Sequence, residues 1–374
     1  MSEKKKIMVV IGTRPEAIKM APIVKALARQ ESIKLVVCLT SQHKEMLQQV
    51  LDIFEIKFDI DLEIMTSNQT LSGLTAAIIN EMDKVIRSER PDWVLVQGDT
   101  TTVMAVALVA FYNQVRIGHV EAGLRSFNKM APFPEEINRK IAGAVADLHF
   151  APTELAKSNL VREGIPSAIC HVTGNTVIDA LLQALEIPFD LNSSSLSRIP
   201  FFTKRVITIT AHRRENHGQP LQEICDSVLQ LCEEYKDLVH FVYPVHLNPN
   251  VQAIVKSKLA DQPNISLLAP LDYLSMAQLV KRSYLLLTDS GGLQEEAPGL
   301  GVPVLVLRDV TERPEGVKAG CVKLVGTRKD RIVENVKSLL DDRTEWERMA
   351  TSNNPYGDGK AAARIVRLIM EHGS

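Results

Sequence analysis

The chain has 374 residues, too many for one ordinary core, so two domains are expected. Apolar residues make up 45% and charged residues 24%, the composition of a soluble globular enzyme. A net charge of −2 supplies no global field toward nucleic acid or an anionic membrane, so neither partner is expected and any bound anion needs a local site.

Lys4-Lys5-Lys6 followed by a short apolar run has the look of a signal peptide. Gly12 and Arg14 interrupt the run before a cleavable core could form. The longest apolar stretch, 103–112, is about half a membrane span. Cysteines 38, 170, 225, 232 and 321 are odd in number and lack CxxC spacing. That pattern predicts reduced thiols and a cytoplasmic location, with no zinc cluster.

From the N-terminus, short Val/Ile/Leu runs predict buried strands at 7–11, 33–39, 93–97, 117–120, 148–151 and 168–172. Helical patterns lie between them, for example at 16–29, 71–87 and 101–112. Near-continuous apolar strands separated by helices mean a parallel sheet covered on both faces. Residues 188–204, rich in proline and serine, break the rhythm and predict a linker. The alternation restarts with strands at 206–210, 238–243, 265–268, 285–288, 304–307 and 322–324. The expected architecture is α/β, with two Rossmann-like doubly wound domains at 1–187 and 205–356 and a cleft between them. The helix in 357–374 is placed as packing back on the first domain. In such sheets ligands meet the C-terminal ends of the strands.

The first strand runs into Gly12-Thr13-Arg14-Pro15-Glu16. A dinucleotide fold would want GxGxxG here, and one glycine stands in its place, so no NAD is expected. Thr13, Pro15 and Glu16 suit a capping box, a purely structural role. Arg14 and Lys19 are left over, and a guanidinium at a helix N-terminus suits a phosphate or a uracil edge.

Asp99 follows the strand at 93–97, where it is either an N-cap or a ligand-facing acid. The next strand ends His119-Val120-Glu121, and a helix then opens at Glu135-Glu136. Three carboxylates from consecutive strand-to-helix turns suit general acid–base chemistry. Acids opening a helix are also ordinary dipole partners, which leaves Glu136 ambiguous. In the second half, His212 follows a strand and is flanked by Arg213 and Arg214, and His246 is similarly placed. Ser290-Gly291-Gly292 between a strand and a helix predicts a diphosphate cradle, with Glu296 placed for ribose hydroxyls. Arg308 to Arg313 adds cationic groups. Asp59-Ile60-Asp61 spells a DxD metal pattern, for which a surface role is the simpler reading.

GTRPEAIKMAP, GDTTT, GHVEAGLR, PFPEEINR, TGNTVIDALL, AHRREN, VYPVHLNP, LTDSGGLQEEAP, RPEG and NPYGDG together resemble the non-hydrolysing UDP-N-acetylglucosamine 2-epimerases. The resemblance covers nearly the whole chain, in family order. It implies two Rossmann-like domains in the glycosyltransferase-B arrangement, a homodimer, and no metal or NAD cofactor. The implied activity interconverts UDP-N-acetylglucosamine and UDP-N-acetylmannosamine. Carried over by position, Asp99, Glu121, Glu135 and His212 match catalytic residues. Arg14, Lys19, Ser290, Gly291, Gly292, Glu296 and Arg313 match nucleotide-sugar contacts. Leu271 and Met276 occupy two further contact positions, where some members have Gln and Phe. Bacterial members also bind a second substrate molecule as activator, near positions matching Gln42, His43, Glu136, Arg213 and His246. Around Lys129-Met130-Ala131 the sequence departs from the family's frequent Tyr-Ser. Three rival readings remain: a hydrolysing epimerase, a glycosyltransferase of the same architecture, and a catalytically silent nucleotide-sugar sensor.

Overall fold

The computed structural model describes residues 4–40, 44–65 and 69–372. They form two compact units, one from residues 1–183 and 356–374 and the other from 184–355.

The first unit alternates strand and helix in the order β1 (Lys5–Ile11), α1 (Arg14–Ala28), β2 (Ile33–Leu39), α2 (Lys44–Ile53), β3 (Ile60–Asp61), α3 (Leu71–Glu89), β4 (Trp93–Gln97) and α4 (Thr101–Tyr112). It continues through β5 (Arg116–Val120), α5 (Glu135–Val145), β6 (Leu148–Ala151), α6 (Glu154–Arg162), β7 (Cys170–Val172) and α7 (Thr176–Glu186). All pairings are parallel, in the sheet order β3-β2-β1-β4-β5-β6-β7. Because both faces are covered, the central strands are mostly apolar, and all five residues of β4 are buried. Met8, Val10, Val94 and Val96 pack against Ile78, Met82, Val106 and Ala110 of α3 and α4. Each large side chain so buried stabilises the fold by about 1.5–3 kcal/mol. The sequence pattern missed β3, a two-residue edge strand holding half of the DxD acids. Asp59 accepts from the Val37 amide at 2.8 Å and Asp61 from the Glu63 amide at 3.1 Å, so both carboxylates serve local backbone.

The C-terminal helix, Ala361–Glu371, belongs to this unit and packs on α1. Its amphipathic pattern turns Ala362, Ile365, Val366 and Ile369 inward. Asp179 of α7 caps its start, accepting from the Ala361 and Ala362 amides at 3.2 and 2.9 Å.

The second unit carries β8 (Arg205–Thr210), α8 (Gln219–Glu234), β9 (Val239–Pro244), α9 (Pro249–Leu259), β10 (Ile265–Leu268), α10 (Tyr273–Lys281) and β11 (Leu285–Thr288). It ends with α11 (Gly291–Glu296), β12 (Val304–Val306), α12 (Pro314–Ala319), β13 (Val322–Leu324), α13 (Lys329–Asp341) and α14 (Arg343–Ala350). The sheet is again parallel, in the order β10-β9-β8-β11-β12-β13. Within 188–204, Leu196 and Ile199 bury themselves against Val206, Val242 and Leu279, so this stretch joins the second unit's core.

Both strand orders reverse direction once, between β1 and β4 in the first unit and between β8 and β11 in the second. The crevice outside the strand ends at such a switch point is where this architecture places ligands. No helix among the described residues is long and apolar enough to cross a membrane.

Candidate active site

At the first unit's switch point the chain leaves β1 through a realised capping box. Thr13 Oγ1 accepts from the Glu16 amide at 3.4 Å, and Glu16 Oε2 accepts from the Thr13 amide at 3.0 Å and from the Gly12 amide. Thr100, the N-cap of α4, donates its hydroxyl to Glu16 Oε1 at 2.5 Å. Glu16 therefore joins the loops after β1 and β4 and is itself buried. Burial pushes its carboxyl up to about 7, against the opposing hydrogen bonds from Thr100, Gly12 and Thr13. The folded state thus holds the Glu16 proton more tightly than the unfolded chain. That stabilisation is complete below the ordinary value of 4.5 and is lost as pH rises through about 7. Glu16→Gln should remove this dependence, with its amide oxygen taking the two backbone donors. Measured between about pH 5 and 8, the variant's Tm should gain on the wild type as pH rises, by up to about 3 kcal/mol of stability. A constant difference would contradict the assignment.

The predicted acids sit at successive strand mouths. Asp99, after β4, is ion-paired with Arg139 of α5, and its carbonyl accepts from Asn138 Nδ2 at 2.9 Å. Glu121, after β5, is 8% exposed and has a left-handed backbone, φ 60°. Its Oε2 is ion-paired with Lys19 of α1 and accepts from Gln97 Nε2 at 2.7 Å. Glu135 opens α5, and its Oε2 is buried with no hydrogen-bond partner. Glu136 is 1% exposed and uses both oxygens on its own chain, accepting from the Ser126 and Phe127 amides at 3.0 and 3.1 Å and from Arg139 at 3.3 Å. Its geometry is that of a loop clamp. Arg14 is half-buried at the first position of α1.

In the second unit His212 follows β8, with its ring stacked on His246 at 5.1 Å and 8°. Burial lowers its pKa, Asp289 opposes that, and the neighbouring His246, Arg213 and His217 push in the same direction as burial. Ser290 is the N-cap of α11, and Gly291 and Gly292 form its first turn, with no side-chain cap taking their amides. Arg313 lies directly over Gly291: a β-carbon there would fall 2.7 Å from Nη1. Arg313 is also ion-paired with Glu295 at 2.5 Å, while Glu296 Oε1 accepts from the Tyr273 hydroxyl at 3.1 Å. Arg308 is instead held by Glu215 and Glu312, at 2.5 and 3.1 Å. Burial would raise the Glu312 carboxyl, but Arg308 holds it down at about 2. Leu271 and Met276 are partly buried against the Leu196–Ile199 cluster and offer apolar surface only. Gln42 and His43 lie outside the described residues.

Gly291→Val should push the Arg313 guanidinium aside and block backbone approach; with a diphosphate cradled here as the sequence predicts, UDP binding should weaken by about tenfold or more. Unchanged affinity by titration calorimetry, in a folded variant, would move the diphosphate elsewhere.

The family model of UDP-N-acetylglucosamine 2-epimerases matches residues 25–370. The chain belongs to that family. The UDP-N-acetylglucosamine 2-epimerase of Escherichia coli K12 is 48% identical over 372 residues, spanning 98% of this chain and 99% of that protein. The crystal structure of the Neisseria meningitidis epimerase bound to UDP-GlcNAc superposes with a TM-score of 0.89 at 48% identity, covering 98% and 100% of the two chains. The Methanocaldococcus jannaschii epimerase in complex with UDP-GlcNAc and UDP gives 0.80 at 36% identity, covering 98% and 99%.

Around the epimerase-family motifs the structure adds residues that the sequence reading passed over. Gln97 and Arg139 each touch one of the acids. His119, on β5, is buried with its Nε2 2.8 Å from the Gly98 carbonyl, an arrangement that requires Nε2 to donate. Burial holds its pKa down at about 4, so it is a neutral ring beside Asp99 and Glu121. Asp289 is fully buried at the mouth of β11. Its position, a charged residue closing an apolar strand ahead of Ser-Gly-Gly, is the counterpart of Asp99 and was the available signal.

Proposed function

We propose that the chain catalyses the reversible C2 epimerisation of UDP-N-acetylglucosamine to UDP-N-acetylmannosamine, by eliminating UDP and adding it back. The observation that carries the reading is Glu121, a nearly buried carboxylate ion-paired with Lys19 and held by a hydrogen bond from Gln97. The hydrogen on C2 is not adjacent to a carbonyl carbon, so direct deprotonation has no electron sink. Breaking the C1–O bond first sends that electron pair to UDP and leaves C1 oxocarbenium-like, which acidifies the C2 hydrogen. A carboxylate takes that proton, and the C–H electrons become the C1–C2 double bond of 2-acetamidoglucal. A proton delivered to the opposite face of C2 and return of the UDP oxygen to C1 give the epimer.

Asp99, Glu121 and Glu135 are the proton-handling groups. His212 serves the leaving diphosphate as stabiliser or proton donor. Ser290, Gly291, Gly292 and Arg313 hold the diphosphate through backbone amides and a cation. Arg14 and Lys19 are further substrate contacts, Glu296 takes the ribose, and Leu271 and Met276 occupy two further contact positions. Arg213 and His246, with Glu136, Gln42 and His43, are the candidates for an activator position. The enzyme works in the cytoplasm as a homodimer, without NAD or metal, and feeds N-acetylmannosamine to cell-surface polysaccharide synthesis.

The test is NMR of protein dialysed against EDTA, incubated with UDP-N-acetylglucosamine and no added NAD. The expected product is a mixture of two UDP-sugars differing at C2. Accumulating UDP with free N-acetylmannosamine would mean a hydrolysing enzyme, and activity restored only by metal or NAD would overturn the cofactor-free reading.

A further inference from the structure

The loop after β8 is fastened by a single carboxylate oxygen. Asp289 Oδ2 accepts from the His212 amide at 2.8 Å, the Arg213 amide at 2.8 Å and Asn216 Nδ2 at 3.0 Å. Asp289 is itself fixed, since its amide donates to the Thr210 carbonyl at 3.0 Å across the β8–β11 switch point. The other oxygen, Oδ1, is buried without a hydrogen bond, and the group facing it is His212 Nδ1 at 3.5 Å. A buried carboxylate oxygen left with one neighbour is costly unless that neighbour presents an N–H. The ring's other face lies on His246, whose Nδ1 accepts from the Asn248 amide at 3.1 Å, so that ring is anchored as well.

We infer that Asp289 is a positioning residue for His212, holding the imidazole with Nδ1–H toward its carboxylate so that Nε2 carries the proton exchanged with the diphosphate. The inference rests on the leaving-group role proposed for His212. In the protonated ring Nδ1–H faces Asp289 and Nε2–H is given to a diphosphate oxygen as the C1–O bond breaks. When UDP returns to C1, the same proton goes back to Nε2, so the balance closes without another reactant. Asp289 also supplies the negative charge that opposes His246, Arg213 and His217, the cationic or titratable groups around the ring.

Asp289→Asn separates positioning from folding. The asparagine oxygen can take the three donors now on Oδ2, which leaves an amide NH₂ facing Nδ1. Nδ1 then becomes an acceptor, and the neutral ring carries its proton on Nε2. Three results are expected. Nitrogen NMR should find Nδ1 protonated in neutral wild-type His212 and unprotonated in the variant. The ring should titrate at lower pH in the variant. Turnover should fall between about tenfold and on the order of 10⁴-fold, with UDP affinity changed far less. An Nε2–H tautomer in the wild type would overturn the inference, and that measurement decides it even if the variant does not fold. Asn216→Ala removes one donor to the same carboxylate and should leave the His212 tautomer unchanged; a switched tautomer there would also overturn it. If His212→Asn leaves turnover intact, the proposed role of His212 fails, while the tautomer measurement still decides the positioning claim.

Discussion

Glu121→Gln should lower kcat by on the order of 10²–10⁴-fold, the usual contribution of a positioned acid or base, while UDP still binds. The substitution also takes away the Glu121 carboxylate as an ion-pair partner of Lys19, whose side chain is largely buried beside it. Removing one member of a buried pair costs about 3–5 kcal/mol, so the single variant should lose stability as well as turnover. Lys19→Met combined with Glu121→Gln also removes the cation that has lost this counter-charge, and should recover much of the Tm without recovering the rate. Recovery of both would make Glu121 a structural ion-pair partner. Glu135→Gln offers the complementary case. Its Oε2 is buried without a hydrogen bond, so the amide breaks no contact there. A rate loss in the same range is expected at unchanged Tm. Asp99→Asn should behave between the two, since Arg139 loses one partner and keeps Glu136. The losses should not multiply across the set, because the groups act on one intermediate. Steady-state kinetics with calorimetric melting of each variant makes the comparison.

A comparable loss of stability, with no change to a proton-handling group, is expected from Gly123→Ala, two residues beyond Glu121. Gly123 has φ 89°, and a β-carbon there would fall 2.2 Å from the Ala156 carbonyl oxygen and 2.8 Å from its carbon. The conformation alone costs about 1–2 kcal/mol for a residue with a β-carbon. The contact adds more, because a helix backbone cannot swing aside as a side-chain tip can. The loop after β5 also takes a hydrogen bond at this point, from Asn159 Nδ2 to the Gly123 carbonyl at 2.9 Å. A total of about 3 kcal/mol or more is expected, with the first unit's melting transition lowered by roughly 6–12 °C. Gly164→Ala is the control, since its φ of 93° is similar and nothing lies within 4 Å of the added carbon. It should cost only the conformational part. Equal losses at the two positions would mean that the loop after β5 can move away from α6, and that Glu121 is less rigidly placed than its contacts suggest.

Much of this scaffold was legible because parallel strands buried on both faces leave an unmistakable apolar signature, as at 93–97 and 285–288. The capping box at Thr13 was legible for the same local reason, since its partners lie within three residues. The edge strand β3 was not, because two residues carry no period. Roles set by distant partners were equally hidden. The sequence left Glu136 ambiguous between a dipole partner and a ligand-facing acid, and could not show that its oxygens accept from the Ser126 and Phe127 amides. Asp289 and the His212 loop are 77 residues apart, and no spacing rule connects them. Residues 188–204 have a linker's composition, yet Leu196 and Ile199 lie in the second unit's core.

The central claim is that C2 loses its hydrogen to a protein carboxylate and regains one from another group. Incubating the wild-type protein with UDP-N-acetylglucosamine in D₂O tests it most directly, with proton NMR at C2 as the readout. The account predicts deuterium at C2 of the UDP-N-acetylmannosamine formed, because a carboxylate on the product side takes its proton from solvent between turnovers. An active enzyme whose product keeps protium at C2 would contradict the scheme, pointing to hydride transfer or to shielded return of the same proton.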